Sequence, residues 1–115
     1  MKLSYNLLPQ SFQNMRPVAL ASERAGLHSI AIADSPLISR ELFLSCAECL
    51  HETKSLNVMT AVTNPLTRHP SVAASAIATL CEMAPGRLLV GIATGDSAAW
   101  GAGLRPDKVS VLSDY

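Results

Sequence analysis

Two aspartates follow directly on apolar runs: Asp34 comes after Ala31-Ile32-Ala33, and Asp96 after Ile92-Ala93-Thr94-Gly95. A carboxylate so placed can exchange a proton with a bound molecule or polarise it. Each is followed by a hydroxyl (Ser35, Ser97), and Gly95 lets the backbone approach a ligand closely. A third polar stretch, Thr63-Asn64-Pro65-Leu66-Thr67-Arg68-His69-Pro70, carries hydroxyls, a carboxamide, a guanidinium and an imidazole around two prolines. By spacing alone a loop or helix cap is the commoner role for such an aspartate. Arg68 and His69 read equally as a cap with a surface contact or as an anion site at a helix start.

The elements that must carry these groups follow from periodicity and punctuation. Leu3–Leu8, His28–Ala33, Leu56–Val62 and Leu88–Ala93 read as strands, the last a continuous apolar run of the kind covered on both faces of a parallel sheet. Pro17–Ala25, Glu41–Thr53 and Pro70–Met83 read as helices, with Pro17 and Pro70 in first-turn positions and Gly26 just past an end. Leu42, Cys46 and Leu50 form one row on the second helix, with Phe43 and Ala47 beside it. Ala73, Ala76, Ile77 and Leu80 form the inner face of the third. Thr94–Arg105 reads as a loop and Pro106–Tyr115 as a further helix. Strand starts recur roughly every 25 to 31 residues, the spacing of right-handed βα crossovers. Both a doubly wound sheet and a (β/α) barrel are built from such units, and pattern alone does not choose between them.

Composition narrows the function classes. Nearly half the 115 residues are apolar (49%), enough for one real core, and Lys+Arg (9) balances Asp+Glu (9). A nucleic-acid binder leaves a basic stripe and a polybasic membrane contact leaves a cluster, so neither partner is expected. No apolar run reaches the ~18 residues of a membrane span. Three cysteines without an obvious partner suit a reducing, cytoplasmic setting. Cys46 and Cys49 fall in mid-helix, away from the helix start that activates a redox thiol, and lack two further ligands for zinc; buried small side chains is the better reading. His28 and His51 read as ordinary surface or half-buried histidines, and Trp100 as a cover or anchor in the loop after the fourth strand.

Three ordered stretches together resemble luciferase-like flavin- and deazaflavin-dependent oxidoreductases and monooxygenases. The nearest branch is that of methylene-tetrahydromethanopterin reductase. They are Ala21-Ser22-Glu23-Arg24-Ala25-Gly26-Leu27 leading to Ala33-Asp34-Ser35-Pro36, then Val62-Thr63-Asn64-Pro65-Leu66-Thr67-Arg68-His69-Pro70, then Gly86-Arg87-Leu88-Leu89-Val90-Gly91-Ile92-Ala93-Thr94-Gly95-Asp96-Ser97. The resemblance implies an α/β fold, a partial (β/α)8 TIM barrel consisting of the first four βα units with parallel strands. A complete barrel takes about 250 residues. The chain is therefore expected to be a single incomplete domain, an N-terminal half-barrel.

By the same resemblance Asp96 lies near the reacting face of a flavin-type ring and Asp34 lines the same mouth, which makes them the catalytic candidates. Ala61 and Val62 stand where the family carries a strand bulge with a non-proline cis peptide behind the ring. Ala61 and Ala93 replace glycines common in that branch. Thr63 and Asn64 are placed to donate to a ring carbonyl, and Gly95 and Ser97 complete the cofactor-binding set. The cofactor is expected to be a deazaflavin coenzyme or FMN, its phosphate held mainly by later strands. The expected activity is hydride transfer to a small-molecule substrate, with this piece inactive alone. A non-catalytic half-barrel that self-associates or pairs with a separate second half is the rival reading. Another barrel enzyme with a different cofactor fits the Thr-Arg-His-Pro and Gly-Asp-Ser stretches less well.

Overall fold

Four short strands lie side by side in the order in which they occur: β1 (Ser4–Leu7), β2 (Ser29–Ile32), β3 (Asn57–Thr63) and β4 (Leu88–Ile92). Every neighbouring pair is parallel, with Tyr5 opposite Ile30, Ile30 opposite Val58 and Val58 opposite Leu88. This computed structural model describes residues 1–115. Helices α1 (Met15–Arg24), α2 (Leu42–Glu52) and α3 (Pro70–Met83) connect the strands, and two short helices, α4 (Ser97–Gly101) and α5 (Val109–Asp114), follow β4. The architecture is α/β, four βα units of a TIM barrel.

Side chains alternate across a sheet, so the pairing sorts them by face. Ile30, Ile32 and Val58 point to one side and are fully buried beneath Met15, Ala19, Leu42, Cys46, Leu50, Ala73 and Leu80 from the three long helices. Each large aliphatic group so buried contributes about 1.5–3 kcal/mol. Val90 and Ile92 share the side of Val58 by alternation along β4, yet are 42% and 40% exposed because no long helix packs over β4. The opposite face, which in a barrel lines the interior, carries Ser4, Asn6, Ser29, Ala31, Asn57 and Met59. Val58, Val90 and Ile92 thus belong to the side that the helices cover and not to the barrel interior.

Other local expectations shift by a turn. Pro17 is the third residue of α1, not the first; a single 3-10 turn (Phe12–Asn14) precedes the helix. An N–H at that position has no partner within the helix, so proline sits there without loss. The stretch read as a loop from Thr94 to Arg105 contains α4, with Ala98 and Ala99 buried against the body. The last helix begins at Val109 instead of Pro106.

The end of the sheet away from the polar loops is fastened by two charged groups. Arg87 donates to the Leu50 and Leu56 carbonyls at 2.7 and 3.1 Å and to the Thr53 hydroxyl, closing the C-terminus of α2. Glu23, at the end of α1, accepts the backbone N–H groups of Lys54, Ser55 and Leu56 at 2.8, 2.6 and 3.1 Å, plus the Ser55 hydroxyl, all on one oxygen. The Ser55 N–H above all, joined by the other donors and opposed by desolvation, holds the Glu23 carboxyl at about 2. A depressed carboxyl contributes stability above its unfolded value of about 4.3, and that contribution disappears as pH falls through the folded value. Glu23→Gln should therefore flatten the acid limb of a urea-midpoint profile below about pH 4. An acid limb unchanged in the variant would assign it to other carboxylates.

Candidate functional site

The site is organised by an irregularity in β3. Thr60 pairs with Val90, but the next partners are Thr63 and Ile92, so β3 uses one residue more than β4 over the same span. The peptide bond between Ala61 and Val62 is cis. At the slip the Thr60 hydroxyl donates to the Gly91 carbonyl at 2.9 Å and accepts the Gly91 N–H at 2.8 Å, replacing lost ladder bonds. Regular pairing resumes where Ala93 N–H donates to the Thr63 carbonyl at 2.9 Å. Gly91 makes this approach possible: a Cβ there would lie 2.6 Å from the Thr60 carbonyl oxygen.

Beyond the slip, the carboxyl ends of β2, β3 and β4 enclose a cleft of about 180 Å³. Asp34, Ala61, Val62, Asn64, Gly95, Asp96 and Ser97 all line it, so seven of the eight sequence-derived candidates meet in one place. Thr63 is the exception. It is fully buried below the wall, its hydroxyl donating to Asp34 Oδ2 at 2.9 Å.

The two aspartates have different surroundings. The side chain of Asp34 is 2% exposed and held on both oxygens by Arg68, Nη1 to Oδ2 at 2.5 Å and Nη2 to Oδ1 at 3.2 Å. Arg68 Nη2 also donates to Glu41 Oε1 at 2.7 Å, and the guanidinium lies over the Phe43 ring, 4.9 Å from its centre. Burial alone favours loss of the Arg68 proton, but the hydrogen bonds and charges of Asp34 and Glu41 outweigh it and hold the pKa above its ordinary value. The anions that Arg68 meets are thus the chain's own carboxylates. His69 caps α3, its Nδ1 accepting the Ser71 N–H at 3.3 Å. Asp96, by contrast, is exposed, enters no ion pair and does not cap α4 although it occupies the N-cap position.

Asn64 closes the floor. Its Oδ1 accepts the N–H groups of Leu66 and Thr67, both at 3.1 Å, which fixes the turn through Pro65. Its Nδ2 is buried without a partner. A buried amide donor left unmatched costs about 1–3 kcal/mol. Gly95, with φ +83°, packs on Asn64, where a Cβ would come within 3.2 Å of the Asn64 Cβ. Above it the hydroxyls of Ser35 and Ser97 bond to each other at 2.6 Å, tying the loops after β2 and β4 together.

Other groups have no such arrangement. Cys46 and Cys49 are buried. Burial, with the Glu48 charge behind it, pushes the Cys49 thiol up to about 12, and burial raises Cys46 as well, so both stay protonated. No group of three His, Cys, Asp or Glu side chains is placed to hold a metal ion. No helix is long and apolar enough to cross a membrane.

Sequence reasoning did not single out Gly91 or the Asp34–Arg68 pairing. An isolated glycine inside an apolar strand pattern is a signal of close backbone approach, and would have found the first. The second joins residues 34 apart in sequence and has no local signature.

A parallel βα sheet, a slipped third strand and a polar mouth at its carboxyl end define the class. The chain belongs to the luciferase-like monooxygenase family, whose model matches residues 2–108. Among its relatives is the 5,10-methylenetetrahydromethanopterin reductase of Methanolobus tindarius, 31% identical over 84 residues, covering 73% of this chain and 26% of that protein. Among solved structures, the coenzyme F420 dependent tetrahydromethanopterin reductase of Methanopyrus kandleri superposes with a TM-score of 0.80 at 26% identity, covering 89% of this chain and 29% of that one. An F420-dependent secondary alcohol dehydrogenase in complex with an F420-acetone adduct gives the same TM-score and identity over 98% of this chain and 38% of its own. The chain thus spans about a quarter of the length of the curated relative, as its 26% coverage states.

Proposed function

We propose that this chain supplies the ring side of a flavin-type site in an oxidoreductase that transfers a hydride with a reduced deazaflavin or FMN. The observation that carries this reading is the single cleft at the carboxyl ends of β2, β3 and β4 that gathers Asn64, whose Nδ2 has no partner, and the exposed Asp96. Small walls at Ala61, Ala93 and Gly95 suit a flat ring, and Asn64 suits one of its carbonyls. When bound, such a ring donates or accepts a hydride at its face. Asp96 then holds or delivers a proton from its exposed carboxylate, Asn64 orients the ring edge, and Asp34 acts beside them from the same wall. The cofactor phosphate would be held outside these residues, so the chain alone is expected to bind weakly and turn nothing over.

Two measurements test this. Riboflavin, a ring without phosphate, should shift the Asn64 side-chain NH2 resonances in a titration of the chain; no movement there would remove the cofactor reading. In a full-length enzyme restored around this chain, Asp96→Asn should lower kcat for hydride transfer by about 10²–10⁴-fold while leaving cofactor affinity nearly unchanged, because size is kept and proton transfer lost. Equal losses in both would mean a structural role.

One observation favours a second reading, a self-associating or complementing half-barrel. The outer edges of β1 and β4 have no neighbour, and Tyr5, Val90 and Ile92 stand exposed beside them. Unpaired edges invite a partner strand. Light scattering that reports a monomer at all concentrations would discard the self-associating form of this alternative.

A further inference from the structure

We infer that Asp34 is the positioning residue of the cleft: its carboxylate clasps both ends of the Thr63–Arg68 turn and so fixes the direction in which Asn64 presents its amide nitrogen. What that nitrogen meets rests on the proposed reading of the cleft as a cofactor site; the clasp itself does not. The turn starts at the last residue of β3 and ends just before the cap of α3. At its start the Thr63 hydroxyl donates to Asp34 Oδ2. At its end Arg68 donates Nη1 to the same oxygen and Nη2 to Oδ1. The segment therefore begins and ends on one carboxylate. Between those points Asn64 Oδ1 accepts the Leu66 and Thr67 N–H groups, and Arg68 Nη1 also donates to the Thr67 hydroxyl at 3.3 Å. A carboxamide whose oxygen takes two N–H groups cannot turn over without setting donor against donor. Its Nδ2 is thus committed to the opposite side of the group.

The same contacts separate the two aspartates of the cleft by task. Three of the roughly four acceptor positions of the Asp34 carboxylate are filled by the chain's own donors, and the side chain is 2% exposed. Asp96 is exposed and enters no ion pair, so it is the one open to a bound molecule. Asp34 serves the cleft by holding the turn, not by exchanging a proton. It is a fixed point because its own neighbours are fixed. The Ser35 N–H donates to the Ser39 hydroxyl at 3.2 Å, and that hydroxyl donates back to the Ser35 carbonyl at 2.8 Å. On the other side Arg68 is anchored to α2 through Glu41 and Phe43. A group that must meet a ligand within about 0.5 Å needs support of this kind from residues that do not touch the ligand.

The test uses the chain in solution. Asp34→Asn keeps size but cannot accept both guanidinium nitrogens and the hydroxyl, whereas Thr63→Val keeps shape and removes the hydroxyl alone. Each should raise amide exchange at Leu66 and Thr67 at least about tenfold, the measure of one lost hydrogen bond to a charged group. Each should also move the Asn64 side-chain NH2 resonances, while the amides of α1 and α2 keep their protection. The double variant should show less than the product of the two single effects, since both act through one contact. Thr63→Ser, which restores the hydroxyl, should return Asn64, Leu66 and Thr67 to their parent behaviour. If Asp34→Asn does not fold, Thr63→Val against Thr63→Ser decides. Unchanged exchange in Thr63→Val would mean that packing alone holds the turn, and equal changes in Thr63→Val and Thr63→Ser would mean a loss of fit and not of the hydroxyl. Either result overturns the inference. Asn64 resonances that ignore riboflavin in the parent would remove the cofactor reading and leave the clasp, whereas a riboflavin response with no effect of Thr63→Val would remove the clasp alone.

Discussion

Replacing Arg68 with methionine is expected to be the most damaging single change in the chain, lowering the free energy of unfolding by about 3–5 kcal/mol. Methionine keeps an apolar stem over Phe43, so the loss isolates the charge. It leaves the Asp34 carboxylate, 2% exposed, with only the Thr63 hydroxyl as partner. It also frees the Glu41 carboxylate, whose other oxygen accepts the Leu44 N–H at 2.7 Å at the start of α2. One guanidinium therefore joins the end of β2, the turn after β3 and the start of α2. Urea unfolding of the single variant, of Asp34→Asn and of the double variant checks the assignment. The double variant should recover a large part of the loss, because the uncompensated buried charge is gone. A single variant within about 1 kcal/mol of the parent would show the pair to be a surface-like contact of little weight.

Gly91→Ala is expected to cost about 1–3 kcal/mol and to disturb the cleft as well. The added methyl meets the Thr60 carbonyl oxygen at 2.6 Å and Val62 Cγ1 at 3.1 Å, and neither a backbone oxygen nor a branched side chain in the cleft wall can swing away freely. Relief requires β3 to move, which breaks the two Thr60 hydroxyl bonds to Gly91 and shifts Ala61 and Val62. Amide exchange should rise at Gly91 and Ala93 in the variant while α1 and α2 keep their protection. Gly101→Ala, where φ is not positive and the added carbon meets only the Leu37 side chain at 3.4 Å or beyond, is the control for the general effect of removing a glycine. Equal losses in both variants would mean that the close approach to β3 carries no special weight.

Much of this arrangement was legible in the chain because the punctuation is strong. Pro36, Pro65 and Pro70 end or begin elements where local rules place them, and the apolar rows of α2 land in the core at Leu42, Cys46 and Leu50. The cis bond at Ala61–Val62 and the grouping at the mouth came from the family resemblance, since nothing in the types Ala and Val announces either. What local pattern could not supply was pairing across the mouth. Arg68 follows Thr67 in a polar turn, and a guanidinium there can face solvent as easily as Asp34. Only the fold brings the end of β2 alongside it. The facing of Val90 and Ile92 is not legible for a related reason: a continuous apolar strand has no polar side from which to read its orientation.

The sheet order also bears on how the chain is made. Each strand pairs with the one that precedes it in sequence, and no strand is inserted between two earlier ones. Emerging from a ribosome, β2 meets a β1 already free of the tunnel, then β3 docks on β2 and β4 on β3. No segment waits for a distant partner, so loop closure is paid in short, even steps. The slipped register at Thr60 and the mouth around Asn64 take shape only when Gly91 arrives, so the site is among the last parts of this chain to form during synthesis.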